Sequence, residues 1–343
     1  MTCLHARFRL LLGLVLLAGL AIGLSACADD EPPAEDAGQI TIYSGRGESL
    51  VGPLIERFEE VSGITVRVRY AGTAELAAAI LEEGGRSPAD IFYAQDAGAL
   101  AALAEADALT RLPDGVIEMV GAEFADSDGR WVATSGRARV LVYSPERVPN
   151  PPDSVFDLVD EEWRGRVGWA PTNGSFQAFV TAMRHIHGED VTEAWLRGMI
   201  ANDVREFPGN SPQVQAVGDG EIDIGLVNHY YLFRFTAEDP GFAAANRFTD
   251  PGAAGGLINI AGVALLEASE NDDNALEFIR FLLSEEAQKY FRDETSEYPV
   301  SADVKARAEL IPLDELDPPS LALTSLSDLE GTLALLQEVG ALP

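Results

Sequence analysis

From residue 40 onward, short apolar runs alternate with stretches whose apolar residues recur at helical spacing, and this order restricts the fold more than any other feature. Ile40-Thr41-Ile42-Tyr43 has the composition of a strand. From Glu48 to Ser62, residues Leu50, Val51, Leu54, Ile55, Phe58 and Val61 fall on one face of a helix that Gly63 ends. Ile64 to Tyr70 alternates as a strand, Thr73 opens a helix closed by Gly84-Gly85, Asp90-Ile91-Phe92-Tyr93 is a third strand, and Ala97 to Ala106 a third helix. The middle repeats the pattern with strands at 139–143 and 167–170, a helix through 176–186, and a capping residue and early proline in Asn210-Ser211-Pro212. Residues 222–227 then read as a strand, and helices follow over 275–283, 285–292 and 326–339. Strand–helix–strand repetition predicts an α/β chain with mostly parallel, doubly wound sheets, arranged as two lobes rather than one continuous sheet.

The first 39 residues break this pattern. His5, Arg7 and Arg9 precede an apolar stretch from Leu10 to Leu24 that is too short and wrongly flanked for a membrane span, as expected of a signal segment. It ends in Leu24-Ser25-Ala26-Cys27, which resembles the bacterial lipobox and implies lipidation at Cys27. Residues 28–39 are acidic and rich in proline and alanine, the composition of a flexible tether. Cys3 and Cys27 are the only cysteines, so residues 28–343 hold no thiol for disulfides, thiolate metal sites or nucleophilic catalysis. With a formal net charge of −32 and lysines only at 289 and 305, the chain lacks the basic face that nucleic acid requires.

Candidate chemistry gathers where strands of an open α/β sheet end. Tyr230 and Tyr231 follow the apolar run at 222–227. A phenol titrates near 10 and becomes a good ligand once a small, highly charged cation removes its proton; two adjacent phenolates suit ferric iron. The alternative is ring packing at a strand end. Asn173-Gly174-Ser175, Asn210-Ser211 and Ser44-Gly45-Arg46-Gly47 each place short polar groups or glycine before a helix, where bare N–H groups form anion sites or simply accept caps. Arg137, before a strand, suits an oxyanion or a surface ion pair. His185 and His187 are two apart and diverge on a helix. His229 suits either a ligand or an exposed ring. No Gly-x-Ser-x-Gly, His-Glu-x-x-His or phosphate-loop motif occurs, and nothing argues for catalysis.

Seven phrases, in order, carry a resemblance over residues 39–343: ITIYSGRGE, EEGGRSPADIFYAQDAGALAALAEADAL, TSGRARVLVY, WRGRVGWAPTNGSF, NSPQVQAV, LVNHYYLF and SEYPVSADV. The chain resembles the ferric-ion-binding proteins, the iron-specific solute receptors of ABC importers. That resemblance implies a two-lobed periplasmic-binding-protein fold joined by hinge strands. Its lobes would be residues 40–136 plus about 255–305, and 137–254 plus about 306–343. It implies a monomer held by lipid at the extracytoplasmic face of the cell membrane, passing Fe3+ to an ABC permease. Tyr230 and Tyr231 match the family's iron-binding tyrosines. Its synergistic anion, phosphate or carbonate, would fall to Arg137, Asn173, Gly174, Ser175, Asn210 and Asn228. Three positions depart from the family pattern: Gly47 for a histidine, Gln95 for a glutamate with Asp96 beside it, and Phe176 for a tyrosine. The shell is then expected to be finished by the anion and water, with Asp96 or Gln95 as added ligands, or the first lobe contributes only Arg46. The alternative is a receptor of the same fold for a small phosphorylated or carboxylated anion without metal.

Overall fold

A computed structural model describes residues 37–343; the signal segment, Cys27 and most of the tether lie outside the described residues. The first half runs β1 (Gln39–Ser44), α1 (Glu48–Ser62), β2 (Thr65–Tyr70), α2 (Thr73–Glu83), β3 (Ile91–Ala94), α3 (Ala97–Glu105) and the single turn α4 (Asp114–Ile117). The middle holds β4 (Val132–Tyr143), β5 (Val167–Trp169), α5 (Gly174–His187), α6 (Glu189–Ala201), β6 (Arg205–Glu206) and α7 (Asn210–Gly218). Then come β7 (Ile224–Asn228), α8 (Tyr230–Glu238), β8 (Ala245–Arg247), β9 (Ile258–Leu265), α9 (Asp272–Leu282), α10 (Glu285–Asp293) and α11 (Leu329–Glu338). Helix α1 buries Val51, Leu54, Ile55 and Phe58 of the six residues its periodicity predicts, leaves Leu50 half-buried and Val61 exposed, and stops where Gly63 turns left-handed at φ 74°. Among the described residues no helix is long and apolar enough to cross a membrane.

The strands join in the order β2-β1-β3-β9-β4-β7-β5-β6, with β8 also on β4. Pairs β1–β2, β1–β3, β5–β6 and β5–β7 are parallel, as strand–helix–strand connections require. Every antiparallel pair involves β4 or β9. The expectation that the lobes do not share one continuous sheet is corrected, because β4 pairs on both sides and joins the halves: Val132 to Ala138 pair with β9, and Arg139 to Tyr143 pair with β7 and β8. The chain has a two-lobed α/β periplasmic-binding-protein fold, and within its sheet β4 crosses from pairing with β9 to pairing with β7 and β8.

Strand-like patterning covers only 139–143 of β4 and none of β9. The first half of β4 includes Thr134-Ser135-Gly136-Arg137, a polar, glycine-containing stretch with little strand propensity, and its register shifts between Ala133 and Ser135. It is held by pairing: Gly136 exchanges two backbone hydrogen bonds of 2.8 Å with Tyr298, and a Cβ there would meet Tyr298 Cβ at 3.4 Å. All eight residues of β9 are buried, so it shows no two-residue alternation.

Candidate functional site

Side chains alternate along a strand, so Arg137 and Arg139 emerge on one face of β4 at the crossing. Arg137 lies opposite Asn259 of β9, and Arg139 opposite Asn228 of β7. Beside them converge the N-termini of α5, α7 and α8. Asn173 caps α5, its Oδ1 accepting from the N–H groups of Ser175 (3.1 Å) and Phe176 (3.3 Å). Asn228 ties the α5 and α7 ends together. Its backbone N–H donates to Asn210 Oδ1 (2.9 Å), and its Nδ2 donates to Ser175 Oγ (3.2 Å). Asn210 is therefore no cap of its own helix; Gly209 holds that position and the Asn210 side chain serves β7. A Cβ on Gly174 would meet nothing within 4 Å, which leaves the approach to α5 open.

Tyr230 opens α8 and stacks on Tyr231, with ring centroids 4.3 Å apart and planes inclined 27°. Tyr230 is buried, Tyr231 partly so. The Tyr230 hydroxyl has no protein partner, a condition that costs a buried polar group about 1–3 kcal/mol. Burial, then the neighbouring Tyr231 and Glu297, push this phenol well above its ordinary pKa, against the pull of Arg137 and Arg46. Without a cation Tyr230 is a neutral phenol.

Three buried guanidiniums surround it. Arg46 is gripped by Glu297 through Nη1–Oε1 (2.8 Å) and Nη2–Oε2 (2.6 Å), and Nη1 also donates to Gln95 Oε1 (3.3 Å). Burial opposes the charge of Arg46, but Glu297 outweighs it and holds the guanidinium above its ordinary pKa. Burial would likewise raise Glu297, yet Arg46 keeps it below the usual carboxylate range, aided by Thr295 Oγ1 (2.9 Å). Arg139 donates to the carbonyls of Leu226 and Ser175 and lies 5.5 Å over the Phe179 ring; burial, then Arg137, lower it to about 9. Arg137 donates through Nη2 to the carbonyls of Gln95 and Ile260 (the latter 3.2 Å), while its Nε and Nη1 have no protein acceptor. Burial lowers its pKa.

The remaining sequence candidates divide. Gln95 and Asp96 reach the site, but Asp96 caps α3 by accepting from Ala99 N–H (3.2 Å). Phe176 is buried edge-on against Trp169 (5.6 Å) in the core. Gly47 faces open space. His229 is neither of the two things its sequence context suggests. It is fully buried, its Nδ1 accepts from Ala138 N–H (3.1 Å), and its Nε2 therefore donates to Ser296 O (2.9 Å). Glu297, Arg139 and Asn259 also belong to the site, and no sequence signal singles them out. Glu297 sits inside the phrase SEYPV, but carboxylates are too common in this chain for one to stand out. Among the described residues no three His, Cys, Asp or Glu side chains gather as a metal cluster. A cavity of about 460 Å³ lined by Asp153, Arg247, Phe248, Ile258, Ile311 and Leu316 contains none of the site side chains predicted from sequence.

His229 gives a pH dependence of known sign. Burial lowers it from 6.5 to about 4 in the folded chain. Between those values the unfolded chain holds a proton that the folded chain does not. Its stabilising contribution is thus full above about pH 6.5 and is lost as pH falls toward 4, on the order of 3 kcal/mol. Urea midpoints at pH 7 and pH 4.5 should differ by more in the wild type than in His229→Gln.

Residues 86–316 match the family described as bacterial extracellular solute-binding protein. The "Major ferric iron-binding protein" of Neisseria meningitidis serogroup A is 34% identical over 336 residues, covering 95% of this chain and 97% of that one. Iron-bound HitA from Pseudomonas aeruginosa superposes with a TM-score of 0.84 at 34% identity, over 88% of this chain and 99% of that one. A Trichodesmium protein solved with iron and citrate ligands gives 0.76 at 28% identity, over 88% and 99%. With this extent of shared sequence and this shared fold, the chain belongs to the ferric-iron-binding proteins among the bacterial extracellular solute-binding proteins.

Proposed function

We propose that this protein captures Fe3+ together with an oxyanion between its two lobes and delivers it to an ABC-type permease, tethered through lipid at Cys27. In this reading the lobes divide at the β4 crossing, near residues 136–137 and 255. Tyr230 and Tyr231 supply phenolate ligands. Arg137 and the helix N-termini at Asn173, Gly174, Ser175, Asn210 and Asn228 hold phosphate or carbonate, which fills the positions that Gly47, Gln95 and Phe176 leave without a strong donor. One observation carries the proposal: a buried phenol with no acceptor stands beside a buried guanidinium whose Nε and Nη1 have none either. A metal–anion pair satisfies both at once, the cation replacing the phenol proton and the anion accepting from the arginine. The names of the Neisseria and Trichodesmium relatives point the same way.

Hard oxygen ligands suit a hard trivalent cation, and iron must displace the proton of Tyr230, so loading releases protons and weakens as pH falls. Adding ferric iron with bicarbonate or phosphate should produce a visible phenolate-to-iron charge-transfer band; a colourless, iron-free protein under those conditions sinks the proposal. Arg137 also supports a second reading, capture of a small phosphorylated or carboxylated anion without metal. Thermal stabilisation by such an anion, undiminished when metal is removed and unaccompanied by any iron band, selects it.

A further inference from the structure

Two asparagine–arginine pairs face each other across β4, one on each side of the crossing. On the β7 side Asn228 stands opposite Arg139, and on the β9 side Asn259 stands opposite Arg137. Residues directly opposite in an antiparallel pair share a face with Cβ atoms about 5 Å apart. The pair Asn228–Arg139 is closed. The Asn228 amide donates to Ser175 Oγ, and Arg139 donates to two carbonyls. The pair Asn259–Arg137 is open. Asn259 Oδ1 accepts from Ile260 N–H at 2.8 Å, which fixes the orientation of the amide and leaves Nδ2 as a donor. That Nδ2 is buried without an acceptor, as are Nε and Nη1 of Arg137. Asn259 is itself only 4% exposed. Buried donors are normally satisfied; here three unsatisfied nitrogens on adjacent strands belong to two neighbouring side chains.

We propose that Asn259 is a further anion-binding residue, and that Asn259 and Arg137 together take a small oxyanion offering at least two acceptor oxygens. This rests on the reading that Arg137 receives the anion; it adds a residue that sets how tightly and selectively that anion is held. A charged group in the amide's place has the opposite sign to what the site needs: Asn259→Asp puts a carboxylate against the incoming oxyanion and blocks it.

The test uses the metal-free full chain, stripped over chelating resin, titrated with bicarbonate while thermal unfolding is followed. A parallel titration reads the visible band at fixed ferric iron. One hydrogen bond to a charged group corresponds to about a ten- to hundredfold change in affinity. Asn259→Ala should therefore need that much more bicarbonate for half-maximal stabilisation, and Asn259→Thr, which restores a donor, less of an increase. If Asn259→Ala misfolds by circular dichroism, the threonine and aspartate variants carry the comparison. Unchanged bicarbonate dependence in the folded variants overturns the inference and leaves the iron reading standing. A wild type stabilised by bicarbonate but colourless with iron ends the iron reading, and the inference is then decided by the metal-free titration alone. A wild type indifferent to bicarbonate and to phosphate overturns the inference outright.

Discussion

Tyr230→Phe should abolish iron binding while leaving the apo protein as stable as before, or more so. The ring remains, and with it the burial and the 4.3 Å stack on Tyr231. What leaves is a hydroxyl that has no partner in the folded chain. Its removal relieves a desolvation penalty of about 1–3 kcal/mol, so the apo melting temperature should hold or rise. Iron loses a phenolate it cannot recover elsewhere. Asp96 is engaged at the start of α3 and Phe176 is in the core. The charge-transfer band should vanish at ferric iron concentrations that saturate the wild type. Tyr231→Phe should instead leave a weaker, shifted band, because the buried phenol is retained. A structural tyrosine behaves in the opposite way, losing stability and not binding. Retention of the full band in Tyr230→Phe, with unchanged position and intensity, would exclude this phenol from the iron shell.

The elements that sequence reveals here are those whose shape is fixed locally. Helix α1 is read off to its last residue because its apolar face repeats every turn and Gly63 supplies the left-handed stop. Elements made by long-range pairing leave no such trace. The first half of β4 looks like a turn until β9 lies beside it, and β9 itself is apolar throughout. Residues 189–201 form α6 and α8 begins at the tyrosines, and neither has a sequence pattern that marks it as clearly as α1 is marked.

The candidate site divides along the same line. Tyr230, Asn173, Ser175, Asn210 and Arg137 lie in short distinctive phrases and are legible one at a time. Their mutual arrangement is not, because Asn228 links α5 and α7 only once the chain is folded. Asn259 owes its importance to a register, and Glu297 to a partner 251 residues away. A buried charge pair of that kind has no periodicity to announce it.

Glu297→Ala should be the most destabilising single change in the site. Arg46 and Glu297 are both fully buried and joined by two charge-assisted hydrogen bonds. Removing the carboxylate leaves a guanidinium in the interior with only Gln95 Oε1 at 3.3 Å to answer it. Breaking one half of a buried pair costs about 3–5 kcal/mol, a fall in melting temperature of roughly 5–10 °C for a chain of this size. Added salt should recover little of it, because buried pairs are poorly screened. The double change Arg46→Met with Glu297→Met removes both charges and should restore most of the loss, since apolar side chains of similar volume replace buried pairs at little cost. The sign with pH is also fixed. Glu297 lies below its ordinary pKa when folded, so its contribution is complete above the unfolded carboxylate value near 4.3 and is lost as pH falls through the lowered one. Glu297→Gln should flatten that part of the acid unfolding curve. It should also lower the Tyr230 pKa, because the lost carboxylate is one of the groups that holds the phenol proton on. Ultraviolet titration of phenolate in the folded variant reads that shift directly. Iron binding and stability then move in opposite directions in Glu297→Gln: a looser fold, but a phenol that yields its proton to the metal more readily.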